Sequence, residues 1–270
     1  MSVEVAEETS VFADWTYYPE LLAKPVPRYT SYPTAAEFVD EDFETRQRPS
    51  IRAVRGAVSL YLHIPYCQEI CWYCGCNTGA ANRTQRLTHY LEALHHEIEL
   101  LASELDPSVR ISRIAFGGGS PNAIQPTDFV RLVDTLTVNF RMDRPVLSIE
   151  LDPRSLSPAW LMAIRGIGLI KASLGVQTLD ARVQSAIGRV QPKDSIERAM
   201  EGLRRAGVDS INFDLMYGLP GQDDAVLAQT LDETIAMGAD RVALFGYAHV
   251  PHMIPRQQRI DASRLPGQVD

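Results

Sequence analysis

Short apolar runs alternate along the chain with longer stretches in which apolar residues recur at helical spacing. The runs predict six strands, over residues 58–64, 111–116, 146–151, 171–177, 210–215 and 241–247. From Leu87 to Leu105, leucines and an isoleucine recur at alternating steps of four and three, which predicts an amphipathic helix. Further helices are predicted over 129–140, after Ser157, from Asp194 and over 227–235. Strands that alternate with helices indicate six β/α units around a parallel sheet.

The third and fifth runs alternate strictly between apolar and polar residues. Their polar positions are Ser148, Glu150 and Asp152 in one run and Ser210, Asn212 and Asp214 in the other. In a parallel barrel covered by helices, the apolar positions should face the helices and the polar positions the interior. A closed eight-stranded barrel fills its interior with bulky aliphatic side chains. We therefore expect an α/β fold in the form of an open, partial TIM-type barrel of six β/α units that encloses a ligand.

The pattern divides the chain into three parts. Residues 1–56 lack sustained periodicity and are rich in proline, tyrosine and charge, which predicts an N-terminal arm. Residues 57–250 contain the six β/α units, and the irregular residues 251–270 indicate a connector. Three histidines lie on or beside the first predicted helix with no second group of ligands near them in sequence, so we expect solvated side chains: His89, His95 and His96.

Composition and charge narrow the possible partners. A chain of 270 residues with 45% hydrophobic content can bury one large core. No apolar run approaches membrane-spanning length, and the first residues lack the basic and apolar regions of a secretory signal, so we expect a cytoplasmic protein with no membrane partner. With 34 acidic against 26 basic side chains and no basic cluster, nucleic-acid binding is disfavoured. A few well-aimed arginines could still bind an anionic small molecule.

All four cysteines of the chain lie in one loop after the first predicted strand, at positions 67, 71, 74 and 76. Three thiolates at CxxxCxxC spacing can hold three corners of an iron–sulfur cube and leave one iron without a protein ligand. A disulfide would suit a secreted protein, a structural zinc site usually takes two separated cysteine pairs, and inert buried cysteines would be scattered over the core. The spacing favours the cluster over these alternatives.

The carboxyl ends of parallel strands that follow one another meet at one edge of a sheet. At this edge the sequence collects the cysteine loop, Gly117–Ser120, Glu150, Gln177, Asp214 and Ala248. Consecutive glycines let backbone groups approach a ligand closely, although a tight turn explains a glycine run equally well. Polar and glycine residues at six successive strand ends are hard to explain as core packing. We therefore expect the active site at this edge.

The CxxxCxxC loop, with Tyr73 directly before its third cysteine, resembles the radical S-adenosylmethionine (radical SAM) enzymes. The resemblance implies that Cys67, Cys71 and Cys74 hold a 4Fe–4S cluster. It also implies that the open iron binds the amino and carboxylate groups of S-adenosylmethionine, which an electron from the cluster cleaves to a deoxyadenosyl radical. The glycine run is similar to the family motif that meets the amino group of this cofactor.

Further segments resemble one branch of that superfamily, the oxygen-independent coproporphyrinogen III oxidases, from about Arg28 to the last residue. These segments are residues 28–34, 71–77, 173–177, 212–220 and 247–251. The related haem chaperones generally lack both the segment 28–34 and a cysteine at the position of Cys76, so these features favour the oxidase. A haem chaperone stays as the alternative function, and an inactive scaffold as the alternative that is not an enzyme.

By position, the resemblance implies two S-adenosylmethionine sites, with Cys76 binding no metal. Around the molecule on the cluster it implies Tyr61, Tyr73, Gly118 and Glu150. Around a second molecule it implies Gly119, Ser120, Gln177, Arg189, Asp214 and Ala248. Ser120 and Asn122 stand where the family more often has threonine. Taken singly, without the resemblance, Arg189 would be interpreted as a surface charge and Asp214 as a polar anchor of a loop.

The implied activity is the oxidative decarboxylation of two propionate side chains of coproporphyrinogen III to vinyl groups, which gives protoporphyrinogen IX in haem biosynthesis. The electron donor would be a flavodoxin or a ferredoxin, and the enzyme a monomer. Arg28, Arg83, Arg256 and Arg259 are candidates for binding propionates by location alone. The family continues past the sixth strand with a C-terminal helical domain, whereas this chain ends at Asp270. We therefore expect a truncated member whose own activity is open.

Overall fold

The computed structural model describes residues 43–82 and 84–267. Its α-helices are α1 (Phe43–Ala53), α2 (Thr84–Glu104), α3 (Pro126–Asn139), α4 (Pro158–Ile167), α5 (Ala181–Ala186), α6 (Lys193–Arg205) and α7 (Asp224–Ala236). Its strands are β1 (Ala57–Ile64), β2 (Tyr66–Cys67), β3 (Gly79–Ala80), β4 (Arg110–Gly118), β5 (Met142–Leu151), β6 (Lys171–Gln177), β7 (Ser210–Tyr217) and β8 (Arg241–Gly246). Short 3-10 helices cover Pro121–Ala123, Pro153–Ser155, Pro255–Arg259 and Ala262–Arg264.

One parallel sheet organises the fold, in the strand order β1-β4-β5-β6-β7-β8. Strands that follow one another in the chain are therefore neighbours in space, and a helix lies between each consecutive pair. β2 and β3 form a separate parallel pair inside the cysteine loop. Within the described part of the chain, β1 and β8 do not pair, so the sheet does not close. The predicted open arrangement of six β/α units is confirmed.

The two faces of the sheet differ in burial as the alternation predicts. The buried apolar residues of β5 and β7 belong to the main core: Leu147, Ile149, Leu151, Ile211, Phe213 and Leu215. Each side chain of this size stabilises the fold by about 1.5–3 kcal/mol when it is fully buried. The opposite face lines a cavity of about 510 Å³, whose wall includes Ser148, Glu150, Ser173 and Asn212. The polar positions therefore surround an interior space.

Local sequence sets the bounds of α4. The Ser157 side chain accepts a hydrogen bond from the Trp160 backbone N–H at 3.3 Å, and Pro158 occupies the first turn. The helix ends at Gly168, which adopts a left-handed φ of 69°. A serine–proline start and a glycine stop therefore fix this helix without help from distant residues.

α7 forms where a helix is predicted, but its buried face is not the leucine–isoleucine stripe. Its buried residues are Val226, Thr230 and Thr234, whereas Ile235 is 72% exposed. The Thr230 hydroxyl accepts a hydrogen bond from the backbone N–H of Leu179 at 3.4 Å. The helix therefore uses the Thr230 hydroxyl to dock on the segment that follows β6.

The expectation of a solvated side chain is wrong for His95. Its side chain is buried between two helices, and its Nδ1 atom lies 2.8 Å from Oγ1 of Thr135 on α3. His89 and His96 are exposed, as expected. His95 directly follows Leu94 of the apolar stripe, and the packing of α3 on that edge of α2 covers it.

Part of the predicted N-terminal arm lies outside the described residues, including the whole segment 28–34. Arg83 also lies outside them. The described end of the arm is the helix α1. The predicted boundaries at residues 56 and 250 stay predictions. In residues 43–82 and 84–267, no helix has the length and apolar character needed to cross a membrane.

Candidate functional site

The cysteine loop, residues 65–80, leaves the sheet at the carboxyl end of β1 and is closed at its base. Cys67 lies on β2, which pairs with β3. The Cys67 carbonyl also accepts a hydrogen bond from the backbone N–H of Ala81 at 2.9 Å. The first thiol is therefore held by a short ladder and not by a free turn.

Trp72 fixes the far side of the loop to the segment between α5 and α6. Its backbone N–H donates to the Ile187 carbonyl at 3.1 Å. Its ring packs on Gly188, where φ is 65° and a Cβ atom would come within 2.6 Å of the indole. Only glycine suits that position. The Arg259 guanidinium lies 5.9 Å from the centre of the same ring, which is a cation–π distance.

The three thiols of the CxxxCxxC pattern lie in one loop. Cys71 is buried, Cys67 and Cys74 are half-buried, and all three are free thiols. Burial, and after it the charges of Cys74 and Cys71, raise the pKa of Cys67 to about 12. Soft thiolates are the ligands of iron–sulfur clusters, so the donor set fits a cluster held at three corners.

No single-ion site accompanies these thiols. Across the described ranges 43–82 and 84–267, no three His, Cys, Asp or Glu side chains are arranged around one metal ion. A cluster does not require such an arrangement, because its cysteines bind different iron atoms.

Cys74 and Cys76 have different environments although they are two residues apart. The backbone N–H of Cys76 donates to the Cys74 sulfur at 3.4 Å. Hydrogen bonding from Cys76 and, to a smaller extent, the charge of Arg256 lower the pKa of Cys74 to about 6. The hydrogen bond to Cys74, together with burial, raises the pKa of Cys76. The local chemistry therefore favours the thiolate at the third position of the pattern and the neutral thiol at Cys76.

Arg189 is buried at 7% exposure, so its interpretation as a surface charge is wrong. Its guanidinium donates to the Gly175 carbonyl at 2.6 Å, to Gln191 Oε1 at 3.1 Å and to the Cys71 sulfur at 3.2 Å. A Cβ atom on Gly175 would lie only 3.0 Å from Nη2 of Arg189. The glycine on β6 thus leaves room for the guanidinium to reach the cysteine loop.

The glycine turn, residues 117–120, packs directly on the base of the cysteine loop. The Gly119 N–H donates to the Ile64 carbonyl at 2.9 Å, and the Ser120 N–H donates to the Tyr66 carbonyl at 2.8 Å. A Cβ atom on Gly119 would lie 2.6 Å from that same carbonyl oxygen and 2.8 Å from the Tyr66 nitrogen. Glycine is therefore required here by the protein's own backbone.

Gly117 and Gly118 similarly make room for side chains of β1 and β5. A Cβ atom on Gly117 would come within 2.7 Å of both the Glu150 carboxyl group and the Tyr61 hydroxyl. One on Gly118, where φ is 116°, would lie 2.8 Å from the His63 ring. His63 was missed by the sequence analysis. Strand periodicity could have predicted it, because His63 lies two residues after Tyr61 and therefore on the same face of β1.

Ser120 and Asn122, the two departures from the family pattern, are bonded to one another. The Ser120 hydroxyl donates to Asn122 Oδ1 at 2.7 Å. That oxygen also accepts from the Asp152 backbone N–H at 3.0 Å, and Asn122 Nδ2 donates to the Asp152 carbonyl at 2.9 Å. Asn122 is 1% exposed. The pair therefore joins the glycine turn to the end of β5.

Glu150 and Asp214 place two carboxyl groups in the interior of the barrel, and burial raises the pKa of both. Glu150 accepts from the Gly118 N–H at 3.2 Å. Asp214 accepts from the Ser173 hydroxyl and from Asn212 Nδ2, each at 2.8 Å. Asp214 lies within β7, so its interpretation as a loop anchor is wrong. Both groups offer acceptors to the ammonium or hydroxyl groups of a bound molecule.

Gln177 ends β6 in an unfavourable backbone conformation. Its φ is 67°, in the left-handed region that non-glycine residues rarely adopt. The register of β6 against β7 shifts between Gly175 and Gln177. The side chain is 9% exposed at the carboxyl edge of the sheet. Such strain often marks a functional position.

The segment after β8 also holds the cysteine loop, and the sequence analysis missed this role. Gln257, 1% exposed, donates to the carbonyls of Tyr73 at 2.9 Å and Ala248 at 3.1 Å. Arg256 donates to the carbonyls of Cys74 and Cys76, each at 2.7 Å. Two N–H groups of the Arg256 side chain are therefore used to hold the cysteine loop. No local sequence pattern predicts contacts over such a separation.

The two tyrosines of the predicted site differ in their surroundings. Tyr61 is 56% exposed, and its hydroxyl lies 3.4 Å from Nδ1 of His63. Tyr73 packs against a small apolar cluster of Val183, Ile187, Leu219 and Val226. Burial raises the pKa of Tyr73 well above its ordinary value. Tyr73 therefore anchors the loop in addition to any contact with a cofactor.

Comparison with known proteins identifies the family. The profile of the radical SAM superfamily matches residues 61–234, which include the cysteine loop, the glycine turn and both interior carboxyl groups. The chain belongs to the radical SAM superfamily. Membership implies a 4Fe–4S cluster and S-adenosylmethionine as cofactors.

Two similar proteins are both named coproporphyrinogen III oxidases. The chain is 40% identical over 245 residues to the oxygen-independent coproporphyrinogen III oxidase of Paracoccus denitrificans strain Pd 1222, covering 89% of this chain and 54% of the relative. The solved structure of the coproporphyrinogen III oxidase HemN from Escherichia coli, described as a radical SAM enzyme, is 33% identical with a TM-score of 0.85, covering 94% of this chain and 58% of that one.

A more distant structure shows the fold alone. The radical S-adenosylmethionine methyltransferase TsrM from Kitasatospora setae is 14% identical with a TM-score of 0.53, over 75% of this chain and 38% of that one. The chain spans about half the length of the curated relatives it matches.

Proposed function

We propose that this chain carries the cofactor site of an oxygen-independent coproporphyrinogen III oxidase, an S-adenosylmethionine-dependent oxidoreductase of haem biosynthesis. One observation carries the proposal. Three free thiols at CxxxCxxC spacing lie in a loop at the carboxyl edge of an open barrel whose backbone matches the coproporphyrinogen III oxidase of Escherichia coli with a TM-score of 0.85. The thiol loop supports the cofactor chemistry, and the match over 94% of this chain supports the branch of the superfamily.

The proposed cluster ligands are Cys67, Cys71 and Cys74, with Cys76 left out. The low pKa of Cys74 supports the assignment at the third position of the pattern, because a stabilised thiolate is held ready for iron. Cys76 is exposed and its pKa is raised, which favours the neutral thiol. Three ligands leave one iron free for a cofactor.

We infer two S-adenosylmethionine molecules, with the residues that the family pattern implies. The first is assigned to Tyr61, Tyr73, Gly118 and Glu150, and the second to Gly119, Ser120, Gln177, Arg189, Asp214 and Ala248. The carboxyl groups of Glu150 and Asp214 are suited to amino and hydroxyl groups, and the buried Arg189 guanidinium to a carboxylate. The positions of these groups at one edge of the sheet support the inference.

When bound, the cluster and S-adenosylmethionine would supply a radical able to remove a hydrogen atom from a propionate side chain, which is the chemistry that its oxidative decarboxylation to a vinyl group requires. The residues of this chain hold the reactants in contact and exclude water. Trp72 and Tyr73 seal the loop against the barrel, and Gln257 holds it from the other side. These contacts hold the cysteine loop in place against the barrel.

The proposed substrate is coproporphyrinogen III, and the proposed product is protoporphyrinogen IX. We propose a flavodoxin or ferredoxin as electron donor, a monomeric state and a cytoplasmic location. The four cysteines are free thiols, which fits a reducing compartment. Of the arginines considered for the propionates, Arg28 and Arg83 lie outside the described residues. Arg256 already bonds two loop carbonyls.

Anaerobic reconstitution with iron and sulfide, followed by electron paramagnetic resonance of the reduced protein, tests the cofactor site. The chain should bind a 4Fe–4S cluster whose spectrum changes when S-adenosylmethionine is added. Cys71→Ala should abolish the signal, and Cys76→Ala, the matched control in the same loop, should retain it. The opposite behaviour of these two variants would contradict the ligand assignment.

Anaerobic incubation with coproporphyrinogen III, S-adenosylmethionine and a reductant tests the reaction. Formation of protoporphyrinogen IX, absent from Cys71→Ala, is the expected result. Haem binding without any product would instead identify the chaperone function. A cluster whose electron paramagnetic resonance spectrum does not change when S-adenosylmethionine is added would identify an inactive scaffold.

A further inference from the structure

We propose that Arg154 acts through Cys71 on the cluster, as a positioning residue that raises its reduction potential. Asp152 and Arg189 complete the arrangement, and these three residues are called the Asp152 clamp. The inference rests on the proposed cofactor site and adds a residue that neither the sequence pattern nor the family assignment singled out.

Arg154 connects the end of β5 to the cysteine loop. Its guanidinium donates to Asp152 Oδ2 at 2.6 Å and to Glu69 Oε2 at 2.9 Å. Its Nη2 atom lies 3.6 Å from the Cys71 sulfur, within hydrogen-bond reach of a sulfur acceptor. Glu69 and Cys71 both belong to the loop, so Arg154 holds the loop at two points.

A second cation reaches the same sulfur. Arg189 Nη1 lies 3.2 Å from Cys71 Sγ, and its Nη2 lies 3.4 Å from Asp152 Oδ1. One carboxylate therefore holds two guanidinium groups, and both groups point a donor at one sulfur. Although burial alone would raise the pKa of Asp152, Arg154 and Arg189 together keep it below its ordinary value. Asp152 is therefore ionised and able to hold both cations.

The clamp is rigid and shielded from water. The side chains of Arg154, Asp152 and Arg189 are 14%, 11% and 8% exposed. Both backbone groups of Asp152 are bonded by Asn122, which is itself buried. Solvent screens charges less at such burial than at the surface, so these groups act on Cys71 more strongly than exposed charges would.

The charge at this position has a definite consequence for electron transfer. An iron–sulfur cluster gains negative charge on reduction, and hydrogen bonds and positive charge beside its sulfurs stabilise the reduced form. Two guanidinium groups against one carboxylate leave excess positive charge beside Cys71, since the Glu69 side chain is 77% exposed and screened. Removal of one guanidinium should therefore make the cluster harder to reduce.

A redox titration of the reconstituted chain, followed by electron paramagnetic resonance, tests the clamp. Arg154→Gln should lower the midpoint potential while iron and sulfide content stay at the wild-type level. Arg182→Gln is the matched control. Arg182 also pairs with an aspartate two residues before it, Asp180 at 3.2 Å, but its side chain is 78% exposed and it is not part of the clamp. Its potential should equal that of the wild type.

An unchanged potential in a fully loaded Arg154→Gln protein would overturn the clamp. If Arg154→Gln binds no cluster, Arg154→Lys tests the role of the charge instead. That variant keeps the charge, so a restored cluster with a potential near the wild-type value supports the proposal, and failure to restore it overturns a role based on charge. Absence of a cluster from the wild type and from Arg182→Gln would refute the proposed cofactor site itself, and with it the clamp.

Discussion

Gln177 shows at the scale of one residue how the candidate site departs from the preferences of its own sequence. It sits at the carboxyl end of β6 with a φ of 67°, where the Cβ atom crowds the backbone. The register of β6 against β7 shifts beside Gly175, at the carboxyl edge of the sheet. We interpret the strained conformation as part of this local departure from regular strand pairing.

Substitution at Gln177 tests the strain. Gln177→Gly should give a more stable protein than Gln177→Ala by about 1 kcal/mol, because only glycine adopts a left-handed φ without a penalty. At an ordinary strand position the order would be the reverse. Urea unfolding of the two variants measures the difference, and a more stable alanine variant would contradict the strain.

At the scale of elements, the site depends on how closely the glycine turn approaches the cysteine loop. The two segments share backbone hydrogen bonds through Gly119 and Ser120, and the approach leaves no room for a side chain at Gly119. The sequence left ligand access and a tight turn open as reasons for the glycines, and Gly119 is required first by the packing of the turn on β1 and β2.

Gly119→Ala should therefore destabilise the protein by about 1–3 kcal/mol, since the obstructing atoms belong to the Tyr66 backbone and cannot move aside. Gly166 in α4 is the matched control, because nothing lies within 4 Å of a Cβ atom built there. Gly166→Ala should stabilise the protein by about 0.5–1 kcal/mol through helix propensity. Chemical unfolding measures both changes. Equal effects of the two substitutions would show that the turn has more room than we describe.

The contact between α2 and α3 makes stability depend on pH. Burial lowers the pKa of His95 below its ordinary value of 6.5. The unfolded chain therefore takes up a proton at higher pH than the folded chain. The contribution of neutral His95 to stability is fully present above about pH 6.5 and is lost as the pH falls through the folded pKa.

His95→Gln should remove this part of the pH dependence, so the free energy of unfolding should fall less steeply than in the wild type from about pH 6.5 to about pH 5. His89→Gln, which replaces an exposed histidine of the same helix, should leave the wild-type slope. Unfolding curves at several pH values give both slopes. Identical slopes for the wild type and His95→Gln would contradict the buried role.

At the scale of the whole molecule, the cysteine loop joins distant parts of the chain. It bonds to the segment between α5 and α6 through Trp72 and to the segment after β8 through Arg256 and Gln257. It also bonds to the end of β5 through the Asp152 clamp. A group bound by the loop should therefore affect the stability of the barrel as a unit.

Anaerobic reconstitution should raise the thermal unfolding midpoint of the wild-type chain, because a ligand that binds only the folded state stabilises it by mass action. Cys71→Ala, treated in the same way, should show no rise. Differential scanning calorimetry under anaerobic conditions gives the midpoints. If the thermal unfolding midpoint of the wild type did not change on reconstitution, the loop would be independent of the rest of the fold.

The sequence by itself determined the order of the six sheet strands and of the helices predicted between them, the polar interior of the barrel and the position of the thiols, whereas α5 and the β2–β3 pair were not predicted. These features depend on local periodicity and spacing, as in the alternation around Glu150 and the caps of α4. The arrangement of six β/α units followed because strands of this kind must bury one face under helices. The cysteine spacing indicated the candidate chemistry, because it is read from the sequence without knowledge of the surrounding structure.

The tertiary structure alone decided which partners those residues meet. The buried face of α7, the burial of His95 and of Arg189, and the contacts of Arg256 with the loop were not predicted. Arg189 and Cys71 are 118 residues apart, and Arg256 and Cys74 are 182 apart. Contacts between residues so far apart in the sequence depend on how whole helices and strands pack. The local pattern of apolar and polar positions does not encode that packing. The charges around Cys71 are therefore a property of the fold.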